Sequence, residues 1–158
     1  MWRVNQALVA LSYDWTAKGH GDTFMAAPHQ TVAVIDDDES VCRALQRLLR
    51  SEGIETDTFT SGEAFLDTLR SVKSPLPRCL IVDVQMPGMD GLELQRHLAP
   101  AGVPIIFVTA NDDEAVRAEA LARGAAGFLN KPLDTALMIS TVRIALGRPK
   151  SATSPAAS

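Results

Sequence analysis

The sequence predicts an α/β domain built on a five-stranded parallel sheet, doubly wound by helices on both faces. Three observations predict it. First, Leu80, Ile81 and Val82 form an unbroken apolar run that ends in Asp83, and Pro87, Gly88 and Gly91 then break the chain. A continuous apolar run is what a strand covered on both faces requires, and a carboxylate at its end sits at the mouth of a loop. Second, the design repeats: Val32 to Ile35 runs into Asp36, Asp37 and Asp38, Ile105 to Val108 into Thr109, and Phe128 and Leu129 into Asn130, Lys131 and Pro132. Third, segments of helical period separate these runs, which implies right-handed crossovers between parallel strands.

Taken in order, residues 1–30 have no clear period and are expected to be a mobile extension. Two readings apply to it. Met25 makes residues 1–24 the product of an upstream start codon, or Trp2, Leu8, Leu11 and Trp15 serve a partner; the first is preferred. Strand one covers Thr31 to Ile35. A helix from Glu39 to Ser51 follows, with Asp38 at its N-cap and Val41, Leu45, Leu48 and Leu49 as its buried stripe. Gly53 stops it as a left-handed cap. Ile54 to Phe59 is a second, more exposed strand. Thr60 and Glu63 read as a capping box for a helix to Val72 that buries Phe65, Leu66 and Leu69. Ser74 to Pro77 is a loop before the central strand. Gly91 to Leu98 is a short helix with Leu92, Leu94 and Leu98 apolar, ended by Pro100 and Gly102. Val103 to Val108 is the fourth strand. Asn111 with Glu114 three residues on reads as the next cap, and that helix ends at Gly124. Ala126 to Leu129 is the fifth strand and Leu133 to Leu146 the last helix. The Pro-, Ser- and Ala-rich end, residues 148–158, reads as a disordered tail or a truncated linker.

Composition narrows the function. The chain has 158 residues, 46% apolar and 22% charged, which suits one domain with an ordinary core. A net charge of −4 gives no electrostatic case for nucleic-acid binding. No apolar stretch approaches a membrane span, and the run Ala7 to Leu11 is too interrupted for a signal peptide. Cys42 and Cys79 have no metal spacing and are expected to be reduced, packed thiols of a cytoplasmic protein. His20, His29 and His97 stand beside no candidate nucleophile, so a triad hydrolase is unsupported; His97 is expected on the surface. The first strand is followed by acids rather than a glycine-rich turn, which argues against a dinucleotide cradle.

Ligands of an open parallel sheet bind at the carboxyl ends of its strands, so the strand-end groups should converge. Asp36, Asp37 and Asp83 would then repel one another unless a cation joined them, and an all-oxygen, water-accessible set suits Mg²⁺. Lys131 and Thr109 opposite them complete the parts that stabilise a transferring phosphoryl group, with Asp83 as a carboxylate nucleophile and the Ala110 N–H as a further donor.

These residues resemble the receiver domain of two-component response regulators. The match runs from Thr31 to Leu146. Asp-Asp-Asp at 36–38, Asp83 with Met-Pro-Gly-Met-Asp-Gly, Val-Thr-Ala at 108–110 and Lys-Pro at 131–132 carry it, in family order and spacing; the wording is most similar to FixJ-like receivers. The resemblance implies a flavodoxin-like, CheY-like strand order 2-1-3-4-5 and a receiver domain over residues 31–147. It implies Asp83 as phosphoacceptor, Asp37, Asp83 and the Gln85 carbonyl as direct Mg²⁺ ligands, and Asp36 acting through a bound water. Thr109 becomes the switch hydroxyl, Phe128 the aromatic switch position, and the Lys131–Pro132 bond cis. A histidine kinase or phosphotransfer protein would supply the phosphoryl group. A downstream partner, or a second copy, would read the face made by the fourth helix, fifth strand and fifth helix. The residues after Leu146 are too few for the helix-turn-helix domain that follows most FixJ-like receivers, so a single-domain regulator or a separated receiver is expected. Two alternatives stand beside this. A Mg²⁺-dependent aspartyl-phosphate phosphatase would need an acid two residues after the nucleophile, where Gln85 stands. A phosphorylation-independent binding module would not need the full set of acids, hydroxyl and lysine.

Overall fold

In the computed structural model, residues 31–71 and 75–147 are described. The expected mobile segment over residues 1–30, the expected tail over residues 148–158 and the expected helix end at Val72 lie outside the described residues. The strands are β1 (Val32–Ile35), β2 (Thr56–Phe59), β3 (Cys79–Asp83), β4 (Ile105–Thr109) and β5 (Gly127–Asn130). The helices are α1 (Glu39–Ser51), α2 (Gly62–Ser71), α3 (Gly91–Leu98), α4 (Glu114–Ala122) and α5 (Thr135–Gly147), with a 3₁₀ turn at Ala99–Ala101. All strand pairs are parallel, in the order β2-β1-β3-β4-β5.

The central strands are apolar on both faces because both are covered. Val32, Val34, Ile81, Ile106 and Val108 pack against Leu45 and Leu49 of α1 and Met138, Val142 and Leu146 of α5. Ala33, Ile35, Leu80, Val82, Ile105 and Phe107 face Phe65, Leu66 and Leu69 of α2, Leu94 and Leu98 of α3, and Ala120 of α4. Each fully buried Leu, Ile or Phe contributes about 1.5–3 kcal/mol of transfer free energy. This core fixes the register in which the polar strand ends line up. The edge strand β2 is more exposed, as its mixed sequence predicts. Cys42 and Cys79 are buried and unpaired, and burial pushes both thiols up, Cys79 to about 12.

Several local assignments change, each because a better or more distant partner wins. Asp38 caps α1 as expected, its Oδ1 accepting from the Ser40 N–H at 2.9 Å. Of the expected stripe, Leu45 and Leu49 are buried, Val41 and Leu48 are half-buried at the edge of the same cluster, and Cys42 joins the buried set. In α2, Ser61 rather than Thr60 caps, its Oγ accepting from the Ala64 N–H at 3.0 Å, because Glu63 is engaged elsewhere. In α4, Asp113 rather than Asn111 caps, accepting from the N–H groups of Ala115 and Val116, because the Asn111 backbone is bonded to Thr109. Asp134 accepts from the Leu137 N–H, so α5 starts at Thr135 rather than Leu133. His97 is half-buried, with Nδ1 enclosed, rather than on the surface.

Candidate phosphoryl-acceptor site

The sheet delivers the site by register alone. β1 and β3 pair so that Ile35 lies beside Val82, which puts Asp36 next to Asp83 at their common carboxyl end. β3 and β4 pair Asp83 with Val108, which puts Thr109 one step beyond. β4 and β5 pair Thr109 with Asn130, which brings Lys131 to the same end. The Lys131 N–H donates to the Thr109 carbonyl at 2.8 Å, and the Lys131–Pro132 bond is cis.

Carboxylate oxygens of Asp36, Asp37 and Asp83 lie within 4.8 Å of one another. Asp36 and Asp83 are buried and Asp37 is exposed, so the cluster opens to solvent on one side. The Lys131 ammonium reaches down between the acids, 3.0 Å from Asp36 Oδ2 and 3.7 Å from Asp83 Oδ2. Asp36 Oδ1 accepts from the Asp38 N–H at 2.9 Å, and Asp83 Oδ1 from the Gln85 N–H at 3.3 Å. The lysine is thus tied most closely to Asp36, leaving Asp83 the less neutralised of the two buried acids.

The electrostatics follow. Burial, and then the charge on Asp36, push the Asp83 carboxyl up to about 6; Lys131 and the Gln85 N–H pull the other way without prevailing. Burial works against the Lys131 ammonium, but its bond to Asp36 and the charges of Asp36 and Asp83 outweigh that and raise its pKa. Three carboxylates face one ammonium, so with all of them ionised the pocket carries an excess of two negative charges. An all-oxygen donor set with that excess and one open side fits a hard divalent cation.

The hydroxyl and the aromatic are placed differently. Thr109 Oγ1 is buried and turned into its own loop, donating to the Asn111 carbonyl and accepting from the Asn111 N–H, both at 3.0 Å. Ala110, the predicted backbone donor, is exposed beside it. Phe128 is buried, its ring 6.2 Å from that of Phe107, and the Arg117 guanidinium of α4 lies 5.1 Å above it.

Sequence reasoning missed two contributors. A Cβ at Gly91 would lie 2.6 Å from the Asp83 carbonyl oxygen and 2.9 Å from the Val84 Cα, so only glycine lets α3 start this close to the acceptor strand. Arg117 was also missed, since nothing in the local sequence couples it to Phe128. Among the described residues no helix is long and apolar enough to cross a membrane.

Comparison with known proteins agrees with this geometry. The family model for the response regulator receiver domain matches residues 32–143. The chain is 44% identical over 120 residues to the transcriptional regulatory protein FixJ of Azorhizobium caulinodans, covering 74% of this chain and 55% of the relative. It is 36% identical over 128 residues to the response regulator protein TmoT of Ectopseudomonas mendocina, covering 80% and 57%. It thus spans little more than half the length of these curated relatives. Among solved structures, a response regulator receiver protein from Burkholderia phymatum superposes with a TM-score of 0.69 at 56% identity, over 74% of this chain and 94% of that one. The response regulator StyR gives 0.67 at 39% identity, over 75% and 60%. With the fold, the strand-end acids and these matches together, the chain belongs to the response regulator receiver family of two-component systems.

Proposed function

We propose that this chain accepts a phosphoryl group on Asp83 from the phosphohistidine of a histidine kinase or phosphotransfer protein. It then signals to a downstream protein through the face formed by α4, β5 and α5. One observation carries the reading: the Asp83 carboxylate, at the end of β3, shares its pocket with two further aspartates and the Lys131 ammonium at 3.7 Å.

Asp36, Asp37, Asp83 and the backbone carbonyl of Gln85 would hold Mg²⁺. When bound, that ion supplies positive charge against the phosphoryl oxygens and relieves the repulsion among the acids. An Asp83 oxygen attacks phosphorus. The O–P bond forms as the N–P bond breaks, and the electron pair of that bond returns to the imidazole. The Lys131 ammonium, held protonated by its acidic neighbours, pairs with the phosphoryl group. The Thr109 hydroxyl gives up the Asn111 carbonyl and donates to a phosphoryl oxygen, with the Ala110 N–H beside it. The new acyl phosphate adds about −1.5 to −2 charges at a buried point. The movement of Thr109 passes to Phe128, on the neighbouring strand, and so to α4 and α5. Leu121 on α4 and Leu137 and Ile144 on α5 are exposed, and they are apolar surface on two of the three elements that a downstream partner or a second copy would cover.

The chain is read as a cytoplasmic phosphoacceptor that catalyses only its own phosphorylation and dephosphorylation. Gln85 supports this, since it occupies the position where a phosphatase of this nucleophile class needs an acid. Incubation with Mg²⁺ and acetyl phosphate, followed by intact mass measurement, tests the reading. The wild type is expected to gain one phosphoryl group, and Asp83→Ala none. No gain on the wild type, or equal gain on the variant, would overturn it.

A further inference from the structure

The loop between β3 and α3 carries Gln85, and its ends are tied close to the sheet. The Val84 N–H donates to the Val108 carbonyl at 3.0 Å, and the Gly91 N–H to the Val84 carbonyl at 2.9 Å. Its tip reaches a different element. The Met89 N–H donates to Glu63 Oε2, at the start of α2, at 3.1 Å. Two further features show that α2 and this tip are shaped to each other. Gly88 stands at φ +77°, and a Cβ there would lie 2.9 Å from Glu63 Oε2. A Cβ at Gly62 would lie 3.0 Å from the Met89 sulfur. Glu63 is exposed and lies outside the acid cluster; α2 takes its own cap from Ser61. Its bond therefore serves the loop.

We infer that Glu63 is a positioning residue for the acceptor site: by holding the Met89 N–H from α2, it pre-sets the loop whose Gln85 carbonyl, beside the Asp83 carboxylate at the end of β3, binds the divalent cation. This rests on the proposed metal-dependent phosphorylation of Asp83. The physical reason is preorganisation. Met86 is buried in the core and Met89 packs against it, so side chains anchor the middle of the loop, and the Glu63 bond is what holds the backbone of its tip; without it, ion binding must order that backbone. Ordering on binding weakens affinity without changing the chemistry once the ion is in place.

The test is a Mg²⁺ titration of the full chain, read by calorimetry and by acetyl phosphate uptake at each Mg²⁺ concentration. Glu63→Ala is expected to raise the Mg²⁺ dissociation constant about three- to tenfold, the worth of one ordinary hydrogen bond, since solvent exposure of Glu63 removes most of the extra strength its charge would give. The maximal uptake rate at saturating Mg²⁺ should stay near that of the wild type. Glu63→Gln keeps an oxygen acceptor and loses the charge, so it should restore most of the affinity. Amide exchange at Met89 should speed up in Glu63→Ala and not in Glu63→Gln. Gly88→Ala, which crowds the same carboxylate, should weaken Mg²⁺ in the same direction. Unchanged Mg²⁺ affinity in Glu63→Ala, with the wild type binding and taking up phosphate normally, overturns this inference alone. Equal weakening in Glu63→Gln assigns the effect to long-range charge and also overturns it. A wild type that binds no Mg²⁺ removes the functional reading, and this inference falls with it.

Discussion

The two halves of the strand-end surface are built on opposite principles. Around β1 and β3 the charged groups already touch: Lys131 bridges Asp36 and Asp83, and backbone N–H groups close on both acids. Around β4 and β5 the groups are close by but satisfied elsewhere. Thr109 spends its hydroxyl on Asn111, and Phe128 packs beside Phe107 under Arg117. The acid half is complete in geometry and short of positive charge. The hydroxyl and aromatic half is complete in bonding and must break contacts to act. The first kind of construction takes up positive charge without rearranging its own groups, and the second moves only when a new partner replaces the one already held.

The largest expected effect lies in the acid half. The Asp83 carboxyl titrates at about 6 when folded, against about 3.9 in an unfolded chain. A raised carboxyl favours the folded state while protonated. The contribution of Asp83 to metal-free stability should therefore be fully present below about pH 4, fall between about pH 4 and pH 6 and level off above, a loss of up to about 3 kcal/mol, against which the lowered pKa of Asp38 works at the acid end. Chemical denaturation across that range checks this, and Asp83→Asn should remove the slope and raise the metal-free unfolding midpoint at neutral pH. Next, Lys131→Ala leaves the buried Asp36 without its ammonium and should cost about 2 kcal/mol in the same measurement. Lysine removal that stabilises the fold would mean that the acids are not held together by it. In the other half, Thr109→Ala should cost only about 1 kcal/mol, the Asn111 N–H being near solvent. It should slow acetyl phosphate uptake several-fold while leaving Asp83 modifiable. Smallest is Arg117→Ala, which removes a cation–ring contact worth about 0.5–1 kcal/mol. A larger loss would show that Phe128 depends on Arg117 more than on its packing against Phe107.

The same contrast explains what could be read from the sequence. β1, β3 and β4 were legible because each is an apolar run stopped by a polar group, and Asp36 and Asp83 were legible because they are those stops; β2, Thr-Asp-Thr-Phe, was legible only from its alternation. Strand register then brought Asp36, Asp83, Thr109 and Lys131 to one end with no further information. Caps were legible only as neighbourhoods. Thr60 and Ser61 can both cap, as can Asn111 and Asp113, and the winner is set by distant bonds, Glu63 to Met89 and Thr109 to Asn111. Arg117 over Phe128 and the tight approach of Gly91 to β3 are contacts between elements far apart in the chain, and no local period announces them.

The central claim is that position 83 carries the phosphoryl group. Acetyl phosphate and Mg²⁺ followed by borohydride, which reduces an aspartyl phosphate to homoserine, place the modification by peptide sequencing. The expected result is homoserine at position 83, abolished by chelating the Mg²⁺. An unreduced aspartate at 83 with the label at another residue would contradict the account.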